Sequence, residues 1–599
     1  MKEFLEIPPS AEFFFCIKFG DHATSLPSNI RFATNGVFVT IKDDVFVFPR
    51  HKHSLGVILI EQYKLILGGA CLMASKTRKF FLNAISLTLT ALIMRGVAVI
   101  FNVYVSNRAG SEAMGLYSLL GSVYGFSITL AAAGINLGTT RLVSDALGLG
   151  DSMLARRSAR RALICCTVTG AIATLLLFFG APLIADLLLG DARAVTPLRI
   201  LSFSLLPVAI CSCLSGYFTA VRRVKVNAAF QIVVQLCKIA ITVGLLALLV
   251  DKGTEEACIA LVLGGTLAEF ISLAITYALY RIDLKKLGKA SPSASVEGEG
   301  LTKKLLGITL PVTFSACIRS ALSMFQHALI PKGLKASGQS WAAALSSYGA
   351  LHGMALPVVL FPSAFVSAFA GLLIPEISEC CVQKNDERLR RVSYRALTLS
   401  LIFSVGVAGI MLFFSKELGM LIYHNEETAL YIRVLAPLIP VMYIDGAVDA
   451  ILKGTGHQVY SMNVNIADTL TACIFALTLI PMIGIWGYVI SIYATEILNT
   501  SLSLGKMISV SKIKPRVFHQ VAMPIICIVG ATNAAKLILI ALPLHLSGAW
   551  ELVCGILLTL AIYVGLLLLT RTIGSDEGEF LYASLLSEKR YDRKFRAIQ

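Results

Sequence analysis

Charge is scarce in this chain: only 15% of its 599 residues are Asp, Glu, Lys or Arg. A soluble protein of this length could not stay dispersed on so little charge, because its cores could not hide the apolar remainder. Paired cysteines are missing too. The 14 cysteines show no disulfide or zinc spacing, and most sit inside apolar runs as small buried residues do, so no metal site is expected. Cys380-Cys381 falls in a loop read as cytoplasmic, where thiols stay reduced. No G-x-x-x-x-G-K-S/T loop occurs, so this chain hydrolyses no ATP by that device. No sizeable outward loop offers the acids and bases of a membrane glycan polymerase or ligase, so an enzyme is not expected and no residue is assigned a catalytic role.

What the chain has is hydrophobic length. Apolar residues make up 56% of it, and mean hydropathy is +0.76. Runs of about 20 apolar residues recur, each long enough for a bilayer-crossing helix. A spanning β-barrel needs short alternating strands, whereas these runs are continuous. The fold class is therefore an all-α polytopic membrane protein. A net charge of +16 would suggest nucleic acid in a soluble protein; here the basic residues fall in short loops between spans, and no nucleic-acid partner is expected.

The pattern occurs twice. Arg161-Ala162-Leu163 leads through Phe178-Phe179 to Leu198-Arg199-Ile200-Leu201 and Pro207. About 234 residues on, Arg395-Ala396-Leu397 leads through Phe413-Phe414 to Ile432-Arg433-Val434-Leu435 and Pro440. Two similar membrane halves in one chain are a common construction for a transporter, with the substrate path between them.

Length and charged breaks give about fourteen spans from Phe80 onward. Six fall near 80–106, 114–145, 159–181, 197–221, 226–250 and 256–280. Six more fall near 304–331, 341–375, 393–415, 430–453, 459–482 and 484–505, and two follow near 518–541 and 548–570. The expected organisation is a first six-helix repeat over 73–281, a small, polar cytoplasmic linker over 282–303, a second repeat over 304–508, two extra helices over 509–572 and a cytoplasmic tail over 573–599. Basic residues crowd alternate loops, as in Arg156, Arg157, Arg160 and Arg161, then Arg222, Arg223 and Lys225, then Lys384, Arg388, Arg390 and Arg391. The opposite loops hold little beyond Arg108, Arg193, Lys252, Lys332, Lys335 and Lys416. Basic loops stay in the cytoplasm, so both termini should lie inside. Six spans per half gives both halves one orientation, related by an axis along the membrane normal.

Residues 1–72 contain no spanning run and read as an N-terminal extension; Gly36–Ile41 alternates like a strand. Met73-Ala74-Ser75-Lys76-Thr77-Arg78-Lys79 looks like an ordinary start before a first span, which makes the upstream part a mis-assigned start; the competing reading is a small regulatory extension.

Several segments carry a family resemblance: Gly115-Leu116-Tyr117, Ala132-Ala133-Gly134-Ile135, Arg141-Leu142-Val143-Ser144, Leu310-Pro311-Val312-Thr313, Ile330-Pro331-Lys332-Gly333-Leu334, Tyr348-Gly349, Gly353-Met354-Ala355-Leu356-Pro357, Phe361-Pro362 and Leu373-Ile374-Pro375-Glu376. With these, the chain over about 75–570 resembles the multidrug, oligosaccharidyl-lipid and polysaccharide (MOP) exporter superfamily, and within it the stage V sporulation protein B-like flippases. The resemblance implies a MATE-like V of two bundles in a bacterial plasma membrane, moving lipid-linked sugars or amphipathic molecules by alternating access. The group's first span often carries two arginines; here Arg95 keeps the first and Asn102 replaces the second.

Arg95 and Arg319 lie mid-span in the first helix of each half. A central charge costs about 2.5–3.5 kcal/mol on insertion, so both should face protein or a watery cavity. The resemblance implies that these helices line the cavity, where two guanidinium groups suit a phosphate or pyrophosphate; the alternative is a structural ion pair. Asn102 and His327 complete the expected substrate-binding set, although a plainly hydrogen-bonded histidine is the commoner case. Asp445, Asp449, Asp468 and Glu496 could bind Na⁺ or relay H⁺, or cap backbone and pair with Lys or Arg. Lys238 and Glu269 read as a structural ion pair. Pro311, Pro357, Pro362 and Pro440 are expected to bend helices.

The leading function is transfer of a lipid-linked oligosaccharide or peptidoglycan precursor between leaflets, in envelope synthesis or sporulation. The alternative is an ion-coupled multidrug antiporter, whose cavity should offer acids rather than arginines. No cofactor is expected beyond a Na⁺ or H⁺ gradient. The partners are the glycan lipid and membrane lipids, and a monomer fits the sequence.

Overall fold

The computed structural model describes residues 30–33, 36–41, 44–49, 53–149, 151–221, 223–249, 253–286, 300–513, 518–541, 548–570 and 572. Contacts divide the chain into two compact units, one of Met1–Ser86 with Ile573–Gln599 and one of Leu87–Thr572. The first holds a three-stranded antiparallel sheet, β1 (Ile30–Ala33), β2 (Gly36–Ile41) and β3 (Asp44–Pro49), in that order. β2 coincides with the expected strand. The tail expected over 573–599 and linker residues 287–299 lie outside the described residues.

The second unit is helical. Its first half takes the part of α1 (His53–Ala132) from Leu87 onward and runs through α2 (Ile135–Gly148), α3 (Ser152–Leu183), α4 (Val195–Ala220), α5 (Val224–Leu249) and α6 (Thr254–Lys286). Its second half runs through α7 (Leu301–Ala336), α8 (Trp341–Tyr348), α9 (Leu356–Leu360), α10 (Ser363–Val382), α11 (Asp386–Phe413), α12 (Ser415–Tyr423), α13 (Glu426–Leu435), α14 (Ile439–Gly454), α15 (Gln458–Ile483) and α16 (Ile485–Ser511). The pair α17 (Met523–Ala541) and α18 (Gly548–Leu569) packs together, with α17 against α11. The long apolar runs described in this unit are helices because lipid offers no partner for backbone N–H and C=O groups.

Among the described residues, 13 stretches are long and apolar enough to cross a membrane. They differ from the expected spans in three places. Leu92–Gly148 contains the first two spans in one stretch, broken where Gly110 takes φ 82°. The expected span 341–375 divides into Trp341–Leu360 and Ser363–Val382, with Phe361-Pro362 at the joint. α16 forms over the expected span 484–505 but is too polar to count among the 13. Its Thr495, Asn499, Thr500 and Ser503 are buried against the bundle, so protein rather than lipid receives that face. The prolines act as joints more than bends: Pro357 and Pro440 stand at helix starts and Pro362 caps α10, where a missing N–H costs little, while Pro311 lies inside α7.

Packing follows the repeat. α3 packs on α2 and α4, and α6 on α4 and α5; in the second half α14 packs on α10, α11 and α16, and α15 on α16. The repeat motif is visible in detail, since the Arg199 guanidinium stands over the Phe178 ring at 5.5 Å. α7 belongs to both halves. Its N-terminal turns lie on α2, with the Thr313 hydroxyl donating to the Ala133 carbonyl, and Leu305 packed into the cluster of Ile135, Leu142 and Cys213. Its C-terminal turns lie on α15, where Gly333 faces Ile480.

Candidate functional site

The two halves meet backbone to backbone just after the Gly110 kink. A Cβ at Gly115 would stand 2.1 Å from the Leu345 carbonyl oxygen, and one at Gly349 would stand 1.9 Å from the Ser111 carbonyl oxygen. No residue but glycine fits at either place without moving a helix. Gly115 and Gly349 are also equivalent under the 234-residue spacing, so the contact is self-complementary and lies on the axis relating the halves. Beside it the Ser111 and Ser346 hydroxyls share a 2.6 Å hydrogen bond.

Polar contacts surround this closure at the same end of the bundle. The Trp341 indole donates to Asp191 at 2.8 Å, and the Lys332 ammonium donates to the Leu187 carbonyl at 2.5 Å, so the start of α8 and the end of α7 both hold the turn between α3 and α4. Arg193 pairs with Asp191 and with Glu112, each at 2.9 Å. Burial pushes the Asp191 carboxyl up, but hydrogen bonds from Arg193 and Trp341 outweigh it and hold the group below the usual carboxylate range. The Asn107 amide donates to the Ile422 carbonyl of the second half at 2.6 Å.

Directly behind the glycine contact, the chain makes a π-helical turn over Gly349–Ala355, a distortion that turns His352 toward Tyr348. The two rings stack at 5.1 Å. His327 of α7 hydrogen-bonds the Tyr348 hydroxyl at 3.1 Å, and His352 hydrogen-bonds Tyr488 of α16 at 3.1 Å. His327 thus ties α7 to the closing helix.

Arg95 and Arg319 are both exposed on the bare protein. Arg95 lies close enough to Tyr443 of α14 to act on it electrostatically, and Gly96 beside it faces the Phe361 ring. Arg319 precedes Ser320, whose hydroxyl accepts from Thr129 of α1 at 3.3 Å. Among the described residues neither arginine has an ion-pair partner, and no bond joins the two. Asn102 has a buried side-chain oxygen with no hydrogen-bond partner among the described residues.

The structure divides the four carboxylates. Asp449 is occupied: Lys453 pairs with it at 2.5 Å, and the Ser461 hydroxyl donates to it at 2.5 Å. Asp445, Asp468 and Glu496, on α14, α15 and α16, lie within electrostatic reach of one another. One Asp468 oxygen is buried without a partner among the described residues. Nearby, the Asn499 amide donates to Asn465 at 3.4 Å. Among the described residues no three His, Cys, Asp or Glu side chains converge closely enough to hold a metal. Lys238 and Glu269 feel each other's charge, yet no ion-pair contact within 4.0 Å forms between them; the Lys238 stem instead lies along Gly265.

Gly115 and Gly349 were present in the sequence as motif residues without a role. The repeat spacing, applied to Gly115, leads straight to Gly349. Asp191, Trp341, His352 and Tyr488 carry no comparable signal.

A family model described as polysaccharide biosynthesis protein matches residues 80–381, half of the chain. The chain belongs to this family. A second model, MatE, matches residues 340–478 of this polysaccharide biosynthesis family protein. It is a member of the MOP superfamily. Stage V sporulation protein B of Bacillus subtilis (strain 168) is 28% identical over 516 residues, covering 84% of this chain and 98% of that relative. Lipid II flippase MurJ of the same organism is 22% identical over 401 residues, covering 63% of this chain and 73% of MurJ. Among solved structures, lipid II flippase MurJ in an inward closed conformation superposes with TM-score 0.60 at 11% identity, over 81% of this chain and 99% of that one. An inward-facing MATE family transporter of the MOP superfamily superposes with TM-score 0.53 at 16% identity, over 72% of this chain and 99% of that one. Those likenesses establish the fold of the helical unit: an all-α, multi-pass membrane bundle of MATE-like architecture.

Proposed function

We propose that the protein moves a lipid-linked oligosaccharide or peptidoglycan precursor from the inner to the outer leaflet of a bacterial plasma membrane by alternating access. It is a transporter, not an enzyme, and both termini lie in the cytoplasm. The observation that carries the reading is the glycine contact on the repeat axis. With the basic loops inside, that contact lies at the outer end of the bundle. Two rigid halves joined at one end on their own axis can exchange which end is closed by rocking. Stage V sporulation protein B and the lipid II flippase MurJ, as relatives, support a glycan-lipid substrate.

Arg95 and Arg319 bind the anionic head group, each free of an acidic partner among the described residues, and Asn102 offers its unpaired oxygen to a donor on the sugar. His327 acts from its place against Tyr348. Asp445, Asp468 and Glu496, which do not converge on one metal ion, are the carboxylates for H⁺ coupling, Asp449 being held by Lys453. These same three acids favour the second reading, an ion-coupled drug antiporter.

Vesicles containing the purified protein decide between the two. A fluorescent lipid-linked precursor should cross between leaflets far faster than in empty vesicles, and Arg95→Ala with Arg319→Ala should remove the effect. Movement of a cationic dye without movement of the precursor would overturn the flippase in favour of the antiporter.

A further inference from the structure

One groove lies away from the interface between the halves, on the outer face of the first half. It encloses about 550 Å³ between α3, α4 and α6. Arg160, Leu163, Ile164, Thr167 and Val168 line it at helical spacing along one face of α3. Ile210 of α4 lines it between the outer helices, and Tyr277 of α6 lines the opposite wall. Thr167 does not make the wall polar, because its hydroxyl donates to the Leu163 carbonyl of its own helix at 2.8 Å. From Arg160 to Val168 the wall is apolar for about 12 Å at the α-helical rise. Ile164, Val168 and Tyr277 are all exposed on the bare protein, so something apolar covers them in the membrane.

The groove is charged at one end only. Arg160 stands at its mouth with Arg157 and Arg161 beside it, all three exposed and without an acidic partner among the described residues. The nearby acids are committed elsewhere. Asp283 pairs with Arg223 and accepts from Tyr217. Asp151 caps the start of α3, accepting from the Met153 and Leu154 amides. Glu269 lies two turns beyond Tyr277 and faces the charge of Lys238. A cationic mouth above an apolar slot complements a ligand with an anionic head and a hydrocarbon chain.

We propose that this groove holds the acyl chain of an anionic phospholipid, with its phosphate on Arg160. Only the leaflet rests on the orientation proposed above: with the basic loops inside, the lipid is one of the inner leaflet, bound to the first half and outside the transport path.

Native mass spectrometry of the full-length protein, offered phosphatidylglycerol, phosphatidylcholine and undecaprenyl phosphate at equal concentration, tests this. Phosphatidylglycerol should be retained over phosphatidylcholine by about fivefold, the preference expected for one arginine at a membrane surface. Arg160→Gln should bring the two to parity, and Ile164→Trp, which fills the slot, should release both. Both positions are exposed, and unchanged thermal melting in detergent would show that the variants fold. Equal retention of the two phospholipids by the unaltered protein, or an undiminished preference in both variants, would overturn the proposal. Undecaprenyl phosphate displacing phosphatidylglycerol in an Arg160-dependent way would also overturn it, making the groove a substrate site. The flippase reading fails separately: phosphatidylglycerol binding with no precursor movement would sink that reading and leave this one standing.

Discussion

The hydroxyls of Ser111 and Ser346, 235 residues apart in the chain, share a hydrogen bond 2.6 Å long. Between them and the π-helical turn lies the Gly115–Gly349 contact, so the halves touch where their equivalent residues coincide. This contact sets backbone against backbone. Such an interface switches between closed and open rather than deforming gradually, because packed backbones have no room for intermediate positions.

Replacing Gly349 with Ala should hold the glycine contact apart. Overpacking typically costs about 1–3 kcal/mol, enough to shift a two-state balance by roughly 5–150-fold. The expected result is a correctly inserted protein with strongly reduced precursor flipping and a cysteine at Ser111 that labels readily. Normal flipping with Gly349→Ala would show that closure at this point is dispensable.

A disulfide between Ser111→Cys and Ser346→Cys, in a background with Cys381 replaced, should lock this end shut and stop flipping until a reductant is added. The side chains already approach to 2.6 Å, within disulfide reach. A pair at Ser106 and Gly333, which chain position alone suggests, is a poorer choice, because Gly333 faces Ile480 of α15. Full activity of the crosslinked protein would exclude rocking about this contact.

Arg95→Ala and Arg319→Ala should each abolish flipping without blocking insertion. Lys at either place should restore only part of the activity, since an ammonium lacks the two-pronged geometry of guanidinium. Lys variants as active as the native protein would reduce the arginines to simple positive charge.

The Trp341–Asp191 contact should be sensitive to acid. Asp191 is held below the usual carboxylate range, so its stabilising effect is complete above the ordinary aspartate pKa of about 3.9 and is lost as pH falls through the lower, folded value. Labelling of a cysteine at Ser111 should therefore stay low between pH 8 and about pH 5 and rise only in stronger acid. Trp341→Phe removes one of the bonds that depress Asp191, so the rise should begin at higher pH. An unchanged profile in that variant would show that Trp341 does not hold the turn.

Orientation is open to direct labelling. A cysteine at Ser293, in the linker, should resist impermeant reagent in intact cells, and one at Ser337, just past α7, should react. The opposite pattern would invert the topology and with it the direction of closure.

The sequence alone determined the class of molecule and the approximate place of nearly every helix. Those are local properties: a run of about 20 apolar residues is helical in lipid whatever its neighbours, because its backbone must bond to itself. Tertiary structure decided the rest. The span 341–375 is broken at Phe361-Pro362, where α9 ends and α10, packed on α11 and α14, begins. α16 could be polar because α14 and α15 take its polar face from lipid. Asp449 found Lys453 one turn away, while Asp445, Asp468 and Glu496, on three helices, lie within electrostatic reach of one another, a distinction that four similar carboxylates in a sequence do not carry. Gly115 and Gly349 stand 234 positions apart and meet only because the axis between the halves passes through them. Hydropathy is summed along one helix, whereas a meeting of two helices depends on their crossing, and no single segment records it.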